Sequence, residues 1–110
     1  MSLQILWTHI ALQSLAEVFD YTYEEFGERQ LHKLASLIHS TASRLAIFPQ
    51  SGKYESELAN ATGIEYRSAL VIPEIKLFYT ISNDTIFIEF VKNVRMDDAT
   101  MLAKLNEKTY

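Results

Sequence analysis

With 110 residues, the chain has the length of one domain that can bury a single hydrophobic core. Its 48% hydrophobic content is typical of a globular protein, and the absence of cysteine excludes disulfides and thiolate metal sites. A net charge of −4 argues against a general nucleic-acid-binding surface, and no apolar run reaches the roughly 18 residues that a membrane helix needs. We expect one cytoplasmic domain over residues 1–110, without a membrane segment.

The N-terminal half predicts a short strand and two helices. Leu3 to Trp7 is the strand candidate. Apolar residues then recur at helical spacing over residues 9–27, with Thr8 as the candidate N-cap, and a second apolar stripe runs to Pro49. The link at Gly27 is short, so the two helices should be antiparallel neighbours. The first stripe is Ala11, Leu15, Val18, Phe19 and Phe26, and the second is Leu31, Leu34, Ala35, Ile38, Ala42, Leu45 and Phe48.

The C-terminal half predicts three short strands and a final short helix. Residues 50–63 are polar and predict a loop, with one helical turn at Ser56–Ala61. Asp97 or Asp98 can cap the final helix. The alternation of side chains over residues 64–95 predicts strands at Ile64–Ile72, Ile75–Ile81 and Thr85–Val94. It places Ile75, Leu77, Tyr79 and Ile81 on one face of the second of these, and Ile86, Ile88 and Phe90 on one face of the third.

The predicted order is strand, helix, helix, three strands and short helix. The three-strand meander has one apolar face that needs a cover, and the two long helices can supply it. A helical hairpin on one face of a mainly antiparallel sheet is an α+β arrangement. We therefore expect a β-α-α-β-β-β fold that ends in a short helix.

Several short motifs occur in this order at matching spacing. They are Trp7-Thr8, Leu45 to Phe48 followed by Pro49 and Gly52, Tyr66-Arg67, Val71-Ile72-Pro73-Glu74 before Lys76-Leu77-Phe78-Tyr79, and Asp84-Thr85-Ile86 leading to a strand that ends just before Arg95. Together they resemble the RelE/ParE toxin superfamily of bacterial toxin–antitoxin modules, also called plasmid stabilisation proteins. The resemblance spans about residues 5–102.

The resemblance implies the toxin of a type II toxin–antitoxin module, neutralised by a cognate antitoxin. Two mechanisms occur on this fold. RelE-like members cut messenger RNA in the ribosome, whereas ParE-like members inhibit DNA gyrase without known hydrolytic chemistry. A third hypothesis is a degenerate member that still binds a partner but is no longer toxic.

The resemblance also indicates candidate site residues. Arg67 and Arg95 match family arginines, which in a RelE-like nuclease would be catalytic and clamp a phosphate. For binding of a partner or target, the candidates are Tyr66, Arg67, Lys92 and Arg95. The alternative for both arginines is a structural ion pair with a carboxylate, such as Glu65, Glu89, Asp97 or Asp98.

Departures from the nuclease pattern favour the ParE-like alternative. Where RelE-like nucleases carry lysines, this chain has Leu58-Ala59-Asn60, and where they carry a catalytic tyrosine it has Met101. Without these proton carriers, acid–base catalysis on a ribose hydroxyl is disfavoured, so we lean towards a protein that is not an enzyme.

No cofactor is expected. The chain has only three glycines and no glycine-rich phosphate loop. His32 and His39 lie on about the same side of the second helix, but a metal site would need a third ligand. A homodimer through the edge of the last strand or through the helical hairpin is a further hypothesis, because unpaired strand edges invite pairing.

Overall fold

The computed structural model describes residues 2–107 and contains one five-stranded sheet with helices on both of its faces. A 3-10 turn over Pro49–Ser51 follows the second helix. In chain order the elements are β1 (Gln4–Trp7), α1 (His9–Phe26), α2 (Glu28–Ile47), β2 (Lys53–Tyr54), α3 (Ser56–Thr62), β3 (Arg67–Ile72), β4 (Ile75–Ser82), β5 (Thr85–Asn93) and α4 (Asp98–Asn106).

The strand order in the sheet is β1-β5-β4-β3-β2. Strand β1 runs parallel to β5, and every other pair is antiparallel. The predicted α+β class with a mainly antiparallel sheet is therefore confirmed. Because β1 pairs with Thr85–Ile88, the first half of β5 has no free edge through which a homodimer could form. The two edges of the sheet are β1 and β2.

Helices α1 and α2 form an antiparallel hairpin on one face of the sheet, as predicted. The Thr8 hydroxyl accepts a hydrogen bond from the Ala11 N–H at 3.1 Å and so begins α1. Gly27, at φ +89°, separates the two helices with a backbone conformation that glycine adopts without a steric penalty. The core beneath the hairpin consists of Ala11, Val18, Leu34, Ile38, Ala42, Leu45, Ile75, Leu77, Tyr79, Ile86, Ile88 and Val91.

The opposite face of the sheet carries a second, smaller core under α3 and α4. The sequence predicted only one apolar face, so this core is a correction. Helix α3 includes the single helical turn expected near Ser56, and α4 is the predicted C-terminal helix, capped by Asp97. The second core consists of Ile10, Leu58, Tyr66, Phe78, Phe90, Met101 and Leu105.

A β-bulge in β5 explains why apolar side chains of this strand lie on both faces of the sheet. Phe78 of β4 pairs with Phe90, but the next residue, Tyr79, pairs with Ile88, so Glu89 is an extra residue. Ile88 therefore faces the hairpin and Phe90 faces α3 and α4, whereas strict alternation predicted one face for both. The buried Glu89 carboxylate accepts a hydrogen bond from the Thr80 hydroxyl at 2.8 Å.

A second register shift has the same effect on β3. It lies between Leu70 and Ile72, so Ile72 packs against the hairpin core rather than on the side of Ser68. Bulges of this kind cannot be inferred from an alternating pattern, because the pattern assumes a regular strand.

Among residues 2–107, no helix combines the length and the apolar character that a membrane crossing requires.

Candidate functional site

Arg67 stands at the start of β3, directly opposite Tyr54 on one side and Tyr79 on the other. Its guanidinium Nη1 donates to the carbonyl oxygen of Gly52 at 2.9 Å and more weakly to that of Gln50 at 3.4 Å. The guanidinium carbon also lies 6.0 Å from the centre of the Tyr54 ring. Arg67 therefore holds the segment between α2 and β2 against the sheet, which is a structural role.

Tyr79 fixes the same segment from beneath. Its side chain is fully buried, and its hydroxyl donates to the Pro49 carbonyl at 2.7 Å and accepts from the Gly52 N–H at 3.0 Å. Burial raises the pKa of Tyr79, and the Gly52 N–H and the Arg67 charge oppose this rise less strongly. The phenol stays protonated and keeps both hydrogen bonds at neutral pH.

Raising the pH above about 10, the pKa of tyrosine in an unfolded chain, should destabilise this protein through Tyr79. In the unfolded chain the phenol loses its proton near that pH, whereas in the folded protein its pKa is raised and it stays neutral. The contribution of Tyr79 to the free energy of unfolding is therefore fully present below about pH 10 and is lost as the pH rises further. We expect urea midpoints of the wild type to fall more steeply over this range than those of Tyr79→Phe, and parallel profiles would contradict the assignment.

Arg95 follows β5 and lies on the hairpin side of the sheet, with an exposed side chain. Its guanidinium donates to the Tyr21 hydroxyl, and the guanidinium carbon lies 5.3 Å from the centre of the Tyr21 ring. The Tyr21 ring in turn meets the edge of Phe26 at 6.3 Å between centroids. These contacts orient Arg95 at the end of the hairpin while leaving its charge accessible to solvent.

Neither arginine forms the ion pair that the structural alternative suggested. Among the described residues, Lys92 forms an ion pair with Asp98, and His32 Nε2 lies 3.5 Å from Glu28 Oε1; neither contact involves Arg67 or Arg95. Arg67 is instead bound by backbone carbonyls, and Arg95 by a phenol.

A groove of about 390 Å³ opens beside Arg95 at the end of the hairpin. We call it the tip groove; its lining includes Tyr21, Phe26, Lys33, Leu37, Ile72 and Arg95. Phe26 is 62% exposed, although the helical spacing predicted that it faces inward. Phe26 is the last residue of α1, next to Gly27. This position could have indicated that the side chain is exposed, because the end of a helix can lie beyond the surface that the helix covers.

Lys92 belongs to the opposite face of the sheet. Its Nζ lies 2.8 Å from Asp98 Oδ1, and the lysine side chain is only 14% exposed. The carboxylate of Asp97 accepts from the Thr100 N–H at 2.8 Å, and hydrogen bonding to the Thr100 side chain and, less strongly, to this N–H lowers the pKa of Asp97. Lys92 therefore attaches the start of α4 to the sheet and does not combine with Arg95 into one basic spot.

Tyr66 is the fourth residue that the sequence indicated for binding. It is 2% exposed and packs in the second core with Leu58 and Phe78. Of the four candidates, Arg95 alone combines a free charge with an accessible groove, since Arg67 and Lys92 have structural partners and Tyr66 is buried.

The structure also shows where the remaining residues weighed for nuclease or metal chemistry lie. Met101, at the position of the family's catalytic tyrosine, is 2% exposed in the second core. His32 and His39 are exposed on α2, and residues 2–107 hold no cluster of three histidine or carboxylate side chains that could bind a metal.

Comparison with known proteins bears on the family and the fold. The profile of the family described as the ParE toxin of the type II toxin–antitoxin system parDE matches residues 5–97. Among solved structures, a chain of the chromosomal ParDE toxin–antitoxin system from P. aeruginosa superposes with a TM-score of 0.66 at 17% sequence identity. The match covers 84% of this chain and 96% of that one. At this identity the structure supports the fold alone. No curated protein sequence matches the chain.

Proposed function

Because this chain belongs to the ParE toxin family of type II toxin–antitoxin systems, we propose that it acts by binding a macromolecular target and is neutralised by a cognate antitoxin. DNA gyrase is the first candidate target, since ParE-like members of the superfamily inhibit it. Both target and antitoxin would be met in the cytoplasm.

The observation that carries this proposal is the tip groove with Arg95 at its rim. The groove joins an exposed aromatic ring, Phe26, to an accessible guanidinium oriented by Tyr21. Aromatic and arginine side chains dominate the energetics of protein interfaces, because they combine large apolar contacts with directional hydrogen bonds. A protein that acts by surface recognition needs such a feature, whereas a nuclease needs proton carriers.

The alternative, a RelE-like ribosome-dependent nuclease, has less support. In that mechanism Arg67 and Arg95 would clamp a phosphate, but Arg67 is occupied with Gly52 and the position of the catalytic tyrosine is the buried Met101. A degenerate, non-toxic member would have the same structural features. Only the effect of its expression on cell growth distinguishes it from the proposed toxin.

Induced expression of the chain should arrest growth, and co-expression of the product of a neighbouring short reading frame should restore it. Arg95→Ala should raise the concentration of purified chain that half-inhibits gyrase supercoiling about tenfold or more, as expected for loss of an interface arginine. Arg44→Ala is the matched control, since Arg44 is also an exposed arginine but lies at the other end of α2.

The outcomes separate the three hypotheses. Arrest with intact transcripts and inhibited gyrase supports the proposal. Ribosome-dependent cleavage of messages that Arg95→Ala abolishes would replace it with the nuclease. Normal growth after induction of the folded chain would leave only the degenerate member.

A further inference from the structure

Two lysines lie side by side on the face of the sheet that α3 and α4 cover. Lys76 of β4 and Lys92 of β5 are direct cross-strand partners. Both side chains point to this face, because side chains alternate along a strand and Phe78 and Phe90, two positions away, pack in the second core. Like charges at directly opposite positions of a sheet repel each other. The pair therefore destabilises the sheet unless an anion lies between the two ammonium groups.

Solvent screens this repulsion only in part, because both lysines are withdrawn from water. The Lys92 side chain is 14% exposed, and Lys76 is half-buried. The Asp98 carboxylate lies 2.8 Å from Lys92 Nζ, whereas no carboxylate among residues 2–107 lies within ion-pair distance of Lys76. One positive charge of the pair therefore has no counter-ion in the described part of the chain.

The two lysines line a pocket of about 380 Å³ beside α3 and α4. We call it the lysine pocket; its lining includes Lys53, Tyr54, Lys76, Phe78, Lys92 and Leu102. Lys53, which is exposed, adds a third ammonium group. The Tyr54 ring is 45% exposed and Phe78 is buried, so the pocket joins cations to a flat apolar wall. A pocket of this volume has room for a small organic ligand.

We propose that the lysine pocket binds a small organic phosphate, with the phosphate group between Lys76 and Lys92 and a flat apolar body against Tyr54. A phosphate monoester carries close to two negative charges at neutral pH and so neutralises both lysines. An ammonium group has three hydrogen-bond donors, which lets Lys92 keep Asp98 while it binds the phosphate. The lysine pocket is separate from the tip groove, and this proposal does not depend on the proposed function.

The charges around the pocket favour a short anion over a nucleic-acid strand. Glu55, Glu57 and Asp98 also line it, and the whole chain has a net charge of −4. Glu55 accepts a hydrogen bond from the Ser68 hydroxyl and Asp98 is paired with Lys92, whereas Glu57 is exposed. A single phosphate between the lysines lies nearest to the cations, but the further phosphates of a strand would be repelled by these carboxylates.

Titration of the full chain with adenosine 5′-monophosphate, followed by amide NMR shifts, tests the proposal. With ligand added up to about 10 mM, saturable shifts should centre on the amides of Lys76 and Lys92. Adenosine without a phosphate should bind at least about tenfold more weakly, because it lacks the charge that the lysines attract. Inorganic phosphate should shift the same amides and compete with the nucleotide.

Three variants separate the charges of the pocket from its fold. Lys76→Ala should weaken binding of the nucleotide about tenfold or more, since it removes the ammonium group that has no counter-ion. Arg44→Ala is the matched control, because it removes an exposed positive charge at the end of α2 and should leave the affinity unchanged. Asp98→Asn should raise the affinity about threefold, because it removes a carboxylate that repels the phosphate. Damage to the pocket would not produce tighter binding.

Each outcome supports or overturns the proposal. Absence of saturable binding up to about 10 mM, equal affinity for adenosine, or binding that Lys76→Ala leaves unchanged would overturn it. Shifts centred on Arg95 would place the anion in the tip groove and remove the lysine pocket. A single-stranded oligonucleotide with a 5′-phosphate that bound about tenfold more tightly than the mononucleotide, and lost this affinity in Lys76→Ala, would overturn the small ligand and assign the pocket to a nucleic-acid end.

Discussion

Replacing Phe90 with alanine should lower the free energy of unfolding by about 3–5 kcal/mol. Phe90 is 2% exposed and packs in the second core with Phe78, Met101 and Leu105. Truncation would remove its apolar contacts and leave a cavity that α4 can fill only in part. Denaturant-induced unfolding followed by circular dichroism measures the loss.

Phe48→Ala is the matched control for this measurement. Phe48 is 60% exposed, so its truncation should change the free energy of unfolding by only about 0.5 kcal/mol. Equal small losses for the two variants would show that the face of the sheet beneath α4 is not a core. The comparison therefore tests whether Phe90 is a buried core residue.

Replacing Gly52 with alanine should cost about 1–3 kcal/mol through overpacking. A Cβ atom at this position would lie 2.8 Å from the Ser68 carbonyl oxygen and would collide with the Tyr79 hydroxyl. Gly52 has an ordinary φ of −73°, so the cost arises from crowding and not from backbone strain. Thermal or denaturant unfolding measures it.

A double-mutant cycle with Tyr79→Phe identifies the source of that cost. If the collision with the hydroxyl dominates, the Gly52→Ala and Tyr79→Phe variants combined should be destabilised by less than the sum of the two single changes. Strict additivity would place the strain at the Ser68 carbonyl oxygen or at the Tyr79 ring carbon Cε1, which phenylalanine retains. No destabilisation at all would contradict the close approach of the loop to Tyr79.

The positions of the sheet edge and of the tip groove follow from how the strands pair and how the helices cover the sheet. Because β1 pairs with β5, the long C-terminal strand is interior, and the free edge falls on a segment of four residues beside the hairpin. Phe26 and Tyr21, near the C-terminal end of α1, line the tip groove together with Arg95. The proposed binding surface at the tip groove thus lies at the end of the hairpin, while the underside of the hairpin packs in the core.

The sequence by itself determined β1, the two long helices, the three C-terminal strands and the final helix in their order, but it predicted a loop where β2 lies. Helical spacing, the Thr8 cap and the break at Gly27 are local signals, and so is the alternation in the three C-terminal strands, because each depends on residues a few positions apart. These signals, with the motifs around Tyr66-Arg67 and Arg95, were enough for the α+β class and for the resemblance to RelE/ParE toxins.

Tertiary structure alone decided which side each candidate residue faces. The bulges at Glu89 and near Val71 reverse the facing of the residues that follow them, and a local pattern does not report them. The surroundings of the candidate residues depend on groups that are distant in the chain. Arg67 binds a loop carbonyl, Lys92 binds Asp98, and Arg95 contacts Tyr21 and stays accessible. Such contacts form only when the sheet and its two covers pack together, which is why one of four predicted binding residues lies on an open surface.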